Sequence, residues 1–257
     1  MIHRHSQNLT YLQFPHLSEY MDIRHGVFTR QGGFSKGRYQ GLNVGRGNGD
    51  DINHVLQNRA AISGCMGNSE LVFADQVHGT AIITHSGCSA EGSGHPPRKA
   101  ESGDAMITGA PGQSLVIQTA DCQAVLIYDP VRKAVAGIHS GWRGSSQNII
   151  GLTVQAMIKE FDSNPKDLLA GIGPSLGPCC AEFIHYRTEI PKAFWPYKNT
   201  SDCFDFWAMS KDQLTGTGIS GNNIISSNLC TRCRTDLFYS YRKEKTTGRF
   251  AAVIGLK

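Results

Sequence analysis

The stretch Asp104–Gly144 reads DAMITGAPGQSLVIQTADCQAVLIYDPVRKAVAGIHSGWRG and decides the fold. It holds four short apolar runs, Ala105 to Thr108, Leu115 to Thr119, Ala124 to Tyr128 and Ala134 to Ile138, parted by turns rich in Gly, Pro and Asp. Runs of this length that are apolar on both faces read as buried strands. Ser145 to Phe161 follows, with Ile149, Ile150, Val154, Met157, Ile158 and Phe161 at helical spacing, so a helix packs on the sheet.

Working outward, Ile23 to Thr29 is a strand that enters a glycine-rich loop from Gly32 through Gly49. Asp50 or Asp51 then caps a helix that runs to about Ile62 and is ended by Gly64. Leu71 to Val77 and Ala81 to Thr84 read as two strands interrupted at His78-Gly79, which places His78 at a strand edge. Residues 86 to 103 are rich in Ser, Gly and Pro and read as an exposed loop. Leu168 to Ile172 is a further strand, Thr188 to Trp195 and Trp207 to Gly216 are helical, and Phe250 to Ile254 closes the chain as a strand. No repeat interrupts this order, so a single α+β domain over residues 1–257 is expected. Residues 1–22, with His3-Arg4-His5, read as an N-terminal extension of no set order.

The 257 residues are 40% hydrophobic, which supports a filled core and excludes a disordered chain. The 25 basic and 21 acidic residues leave a scattered charge of +4, too mild and too dispersed for a nucleic-acid surface. No segment has the apolar length of a signal peptide or a membrane span, so a cytoplasmic protein without membrane partners is expected. Eight cysteines in a reducing compartment are read as thiols. Oligomeric state is not readable from the sequence.

Three turns end apolar strands with a metal-ligand side chain: Gln76-Val77-His78-Gly79, Thr119-Ala120-Asp121-Cys122 and Gly137-Ile138-His139-Ser140-Gly141-Trp142-Arg143-Gly144. Imidazole and thiolate suit zinc, and three protein ligands leave a fourth position open, as a catalytic site requires. Two other readings stand beside this one. Each residue can be an ordinary buried or strand-end side chain, or Cys122 can be a nucleophile activated by His139 with no metal. Arg143, Arg30 and Arg249 are candidate anion clamps, while Asn43 and Gln76 are candidate hydrogen-bond partners of a base or ribose. Cys230-Thr231-Arg232-Cys233 and Cys179-Cys180 would need to converge to hold a second zinc, which their spacing does not demand, so they are read as buried or incidental thiols. Gly171-Ile172-Gly173 lacks the pattern of a dinucleotide site.

The three turns, with Asp104-Ala105-Met106-Ile107-Thr108, Gly173-Pro174-Ser175-Leu176-Gly177-Pro178-Cys179-Cys180 and Phe238-Tyr239-Ser240-Tyr241-Arg242 followed by Gly248-Arg249, resemble the YfiH family from about His25 to the C-terminus. That family has long been called laccase-domain or multicopper polyphenol oxidoreductase. The resemblance implies a layered α/β/β/α sandwich with mixed sheets. It implies a zinc-dependent purine nucleoside phosphorylase acting on adenosine, inosine and S-methyl-5'-thioadenosine, with adenosine deaminase activity besides. It assigns His78, Cys122 and His139 to the metal and the catalysis. The loop Thr29-Arg30-Gln31-Gly32-Gly33-Phe34-Ser35 with Gly41-Leu42-Asn43 is similar to the family's substrate-side loop, although Gly45-Arg46-Gly47-Asn48-Gly49-Asp50 departs from the usual His-Val-Gly-Asp. A copper-dependent polyphenol oxidase is the rival that the older name implies, but such chemistry needs clustered histidines, and His-x-His occurs only at His3-Arg4-His5. An amidase that edits peptidoglycan precursors and a non-enzymatic binding module are further alternatives.

Overall fold

The computed structural model describes residues 1–6, 8–86 and 101–257. Most of the loop expected at 86 to 103 therefore lies outside the described residues. Among the described residues there are twelve strands: β1 (Ile2–Ser6), β2 (Leu9–Gln13), β3 (Ile23–Phe28), β4 (Glu70–Phe73), β5 (Ile82–His85), β6 (Ala105–Thr108), β7 (Gln113–Thr119), β8 (Gln123–Asp129), β9 (Ala134–Ser140), β10 (Leu169–Ile172), β11 (Ile224–Ser226) and β12 (Phe250–Leu256). They build two six-stranded sheets, ordered β1-β2-β3-β12-β7-β4 and β11-β10-β8-β9-β6-β5. Both are mixed: β4 runs parallel to β7, β5 to β6 and β10 to β11, while the other pairs are antiparallel.

The alternation of side chains along each strand explains the layers. Leu115 and Ile117 of β7, Leu126 and Tyr128 of β8, and Ala252 and Ile254 of β12 share one cluster between the sheets. Their neighbours Val125 and Ile127 point the other way, onto Ile149, Ile150, Val154 and Met157 of the helix Ile149–Phe161. Val116, Ala251 and Val253 likewise meet Ile62 and Met66 around the helix Ile52–Cys65. Strands covered on both faces have no polar side to show, which is why their sequences read as unbroken apolar runs. The result is one α/β/β/α sandwich with mixed sheets. Among the described residues no helix is long and apolar enough to cross a membrane.

Several expectations are corrected. His3-Arg4-His5 is not a loose terminus: it lies in β1, which pairs antiparallel with β2 and extends the first sheet. Its side chains are exposed on an edge hairpin, so the sequence carries no apolar signature there. The strand expected through Val77 stops at Phe73, and its successor β5 belongs to the opposite sheet, so His78 lies on a crossover and not at the edge of one strand. The helix expected from Ser145 is broken. A short helix, Trp142–Ser146, stops before Asn148, whose left-handed backbone (φ 57°) and side-chain bond to Gly151 N–H start the next helix afresh. Thr188 to Trp195 is split by Pro191 into the short helix Tyr186–Glu189 and a 3₁₀ segment, Lys192–Tyr197. The first long helix begins as expected, with Asp51 accepting from Asn53 N–H, and passes Gly64 to end at Cys65 ahead of Gly67 (φ +71°).

Candidate metal centre

The crossovers between the sheets make the site. From β4 in the first sheet the chain crosses to β5 in the second through His78, and from β7 it crosses to β8 through Asp121 and Cys122. His139 is carried by the last turn of β9, beside β8. One ligand atom from each of His78, Cys122 and His139 lies within 4.8 Å of the other two. Cys122 Sγ is 3.8 Å from His78 Nε2, and the two imidazole rings stand edge to face with centroids 4.8 Å apart. His139 is buried, Cys122 half-buried and His78 exposed, so the group opens to solvent on the His78 side.

Two backbone features aim these side chains. His78 (φ 62°) and Asp121 (φ 96°) both occupy the left-handed region, which costs a non-glycine residue about 1–3 kcal/mol and persists only where surroundings enforce it. The enforcement is visible. Asp104 accepts the N–H groups of His78 (2.9 Å) and Gly79 (2.6 Å), while Asp121 accepts Thr231 Oγ1–H (2.7 Å) and Arg242 N–H (2.5 Å). Gly141 lets the backbone pass close by: a Cβ there would stand 3.0 Å from the His78 ring and 3.3 Å from Cys122 Sγ.

Asp104, which sequence reasoning does not single out, joins the site. It is buried, and Oδ1 lies 2.8 Å from His139 Nδ1, which fixes that ring and leaves Nε2 for the crevice. The available signal was a carboxylate at the start of a buried strand, since buried acids are rare unless paired. Burial pushes its carboxyl up, but His139 and the N–H groups of Gly79 and His78 outweigh this and hold it below the usual range. Burial likewise raises the Cys122 thiol, and His139 and His78 more than reverse this, bringing it down to about 6. His139 moves the opposite way: burial lowers it, while Cys122 and Asp104 raise it to about 9. The two shifts run in opposite directions and share one cause, the closeness of the Cys122 sulfur to the His139 ring. A soft donor ionised near neutrality, with two imidazoles and an open side, fits a three-ligand metal site.

Arg143 is exposed at the first turn after His139, with its guanidinium 4.2 Å over the Trp142 ring. Gln76 bonds both backbone groups of Gln118 at the end of β7, tying the crossover to that strand. Asn43 is buried and accepts the N–H of Arg249, and Arg249 donates to the carbonyls of Thr247 and Gly248. Phe250, next to Arg249, pairs with Thr119, so both lie on the Cys122 side of β7. Arg30 is committed elsewhere, to Glu244 (2.8 Å), to the carbonyl of Thr235 and to the face of Tyr239.

Fold and site together define a class, that of two-sheet α+β proteins with an open His-Cys-His crevice at the sheet crossovers. Comparison with known proteins gives it a family. Residues 24–257 match the family model described as multi-copper polyphenol oxidoreductase laccase. A purine nucleoside phosphorylase of Bacteroides thetaiotaomicron is 33% identical over 249 residues, with 90% of each chain covered. The purine nucleoside phosphorylase YfiH of Escherichia coli is 32% identical over 238 residues, covering 89% of this chain and 91% of that one. Among solved structures, the YfiH protein of Bacillus licheniformis superposes with a TM-score of 0.86 at 28% identity over 99% of both chains. YlmD of Geobacillus stearothermophilus gives 0.86 at 28% identity, covering 99% of this chain and 98% of that one. The chain belongs to the YfiH family.

Proposed function

We propose that this chain is a zinc-dependent purine nucleoside phosphorylase acting on adenosine, inosine and S-methyl-5'-thioadenosine, with adenosine deamination as a second activity of the same crevice. The observation that carries the reading is the convergence of His78, Cys122 and His139 within 4.8 Å around an open side. The names of the relatives supply the reaction class. A cytoplasmic setting suits it, because reducing conditions keep Cys122 a ligand.

In phosphorolysis the bond between the anomeric carbon and the purine nitrogen breaks, and a bond from that carbon to a phosphate oxygen forms. His78, Cys122 and His139 would hold the ion, which when bound supplies a Lewis acid with an open position. Asp104 keeps His139 in one tautomer and one orientation. Arg143, exposed beside the crevice, offers a planar cation for phosphate. Gln76, Asn43 and Arg249 frame the neighbouring end of β7, where they orient the nucleoside directly or through Gln118. Arg30 acts at a remove, through Tyr239 and Glu244.

The test is direct. Zinc-loaded protein given each nucleoside with phosphate should release free base and the matching sugar 1-phosphate, 5-methylthioribose 1-phosphate from S-methyl-5'-thioadenosine and ribose 1-phosphate from the others, and adenosine with water alone should give inosine and ammonia. No base from any nucleoside would sink the proposal. One second reading has an observation behind it: the Cys122 sulfur lies against the His78 and His139 rings, as a nucleophile beside a base would in a cysteine amidase, and a peptidoglycan precursor would be its substrate. A chelator abolishes activity in the first reading and spares it in the second. Metal analysis of the same preparation separates zinc from copper.

A further inference from the structure

The two cysteine pairs, which their spacing left as incidental thiols, converge. Cys179 and Cys180 end the turn after β10, and Cys230 and Cys233 flank the turn after β11. Because β10 and β11 run parallel, these turns emerge side by side, joined by Ser175 N–H to Leu229 C=O and Thr231 N–H to Ser175 C=O. Cys233 Sγ is 3.7 Å from Cys179 Sγ and 3.6 Å from Cys180 Sγ, and all four sulfurs lie within 4.8 Å of one another. None of the four is in a disulfide.

We propose that Cys179, Cys180, Cys230 and Cys233 form a second metal site, a structural zinc closed by four thiolates. A tetrahedral zinc with ligands at 2.3 Å separates its sulfurs by about 3.8 Å, close to the spacing observed. Charge is met locally: Arg232 Nη1 donates to Cys180 Sγ (3.4 Å). Four thiols this close without a cation would oppose one another's ionisation, and a divalent ion removes that conflict.

The position of this site gives it a task at the crevice. Leu176 N–H, in the first turn, donates to the carbonyl of Asp121, and Thr231, between Cys230 and Cys233, donates its hydroxyl to the Asp121 carboxylate. Asp121 precedes Cys122 and carries the left-handed backbone that aims it. The structural zinc therefore clamps the two turns that hold the Cys122 bend in place.

The full chain, loaded with zinc and cleared of excess by gel filtration, should carry two zinc ions by mass spectrometry. Cys230→Ser with Cys233→Ser should leave one, and His78→Ala with His139→Ala should leave the other. A single zinc in the unmodified protein, lost with the two histidines, overturns the proposal. Should the cysteine variant fail to fold, alkylation of the unmodified protein decides. Zinc should protect all four cysteines, and a chelator should expose them together. Cys179 and Cys233 reacting equally fast with and without zinc, or recovered as a disulfide, refutes it.

Discussion

The Asp104 carboxylate oxygen that lies 2.8 Å from His139 Nδ1 also accepts the backbone N–H of His78, so one carboxylate sets the geometry of both histidines of the crevice. Replacing it by asparagine keeps the shape but leaves a single accepting oxygen for His139 and for the N–H groups of His78 and Gly79. Asp104→Asn should weaken zinc roughly 10–100-fold in competition with a chromophoric chelator, with a matching loss of kcat/KM. It should also destabilise the fold by about 1–3 kcal/mol. Unchanged zinc affinity would refute the orienting role.

Gly141 predicts a narrower defect. Its notional Cβ meets the His78 ring and Cys122 Sγ at 3.0 and 3.3 Å, and both must give way. Gly141→Ala should therefore lower zinc affinity and activity by at least tenfold. Because the backbone there has an ordinary negative φ, the unfolding free energy from denaturant titration should fall by no more than about 1–3 kcal/mol. A variant with full activity would show that the crevice is looser than these distances imply.

Asn58 ties the glycine-rich loop to the first long helix. It is buried, its Oδ1 accepts Phe34 N–H, and its Nδ2 donates to Ser35 Oγ and to the carbonyls of Gly41 and Asn43. Asn58→Ala leaves several of these groups unpaired and should cost roughly 2–4 kcal/mol in urea unfolding. If Asn43 orients substrate, KM should rise more than kcat falls.

Acid should weaken the fold through His25. Burial, helped by His16, lowers this ring to about 4, and its Nε2 accepts Phe14 N–H in the neutral form. A histidine lowered on folding binds its proton more readily unfolded, so stability is full above the unfolded value near 6.5 and falls as pH drops towards 4. Between pH 7 and pH 5 the loss from this group should be about 2 kcal/mol. His25→Gln should flatten that slope in denaturation curves at the two pH values, and an unchanged slope would exonerate the residue.

How much was legible follows from which faces are covered. β8 and β9 are buried throughout, so Ala124 to Tyr128 and Ala134 to Ile138 declared themselves by composition. β1 is an edge strand whose His3, Arg4 and His5 are all exposed, and Ile2-His3-Arg4-His5-Ser6 carries no apolar run to betray it. His78, Cys122 and His139 stood out as candidates because a histidine or cysteine closing an apolar run is conspicuous, although His78 proves to lie on a crossover beyond its strand. Asp104 did not stand out, since an aspartate before a strand is also an ordinary turn residue and only its partners mark it. The two cysteine pairs were hidden for a related reason: the pairing of β10 with β11, more than fifty residues apart, creates their proximity, and no local spacing encodes it.

The crossovers impose an order on assembly. His78 and Cys122 each sit where the chain leaves one sheet for the other, and His139 is supplied by the second sheet. Neither sheet alone can present the three donors, so the ligand set closes only after the layers have docked. On the proposed function, ion capture would then be a late event that lowers the free energy of the fully stacked chain over any half-built intermediate. A trace of zinc added during refolding should accelerate nothing early, yet it should trap the finished product and slow its opening.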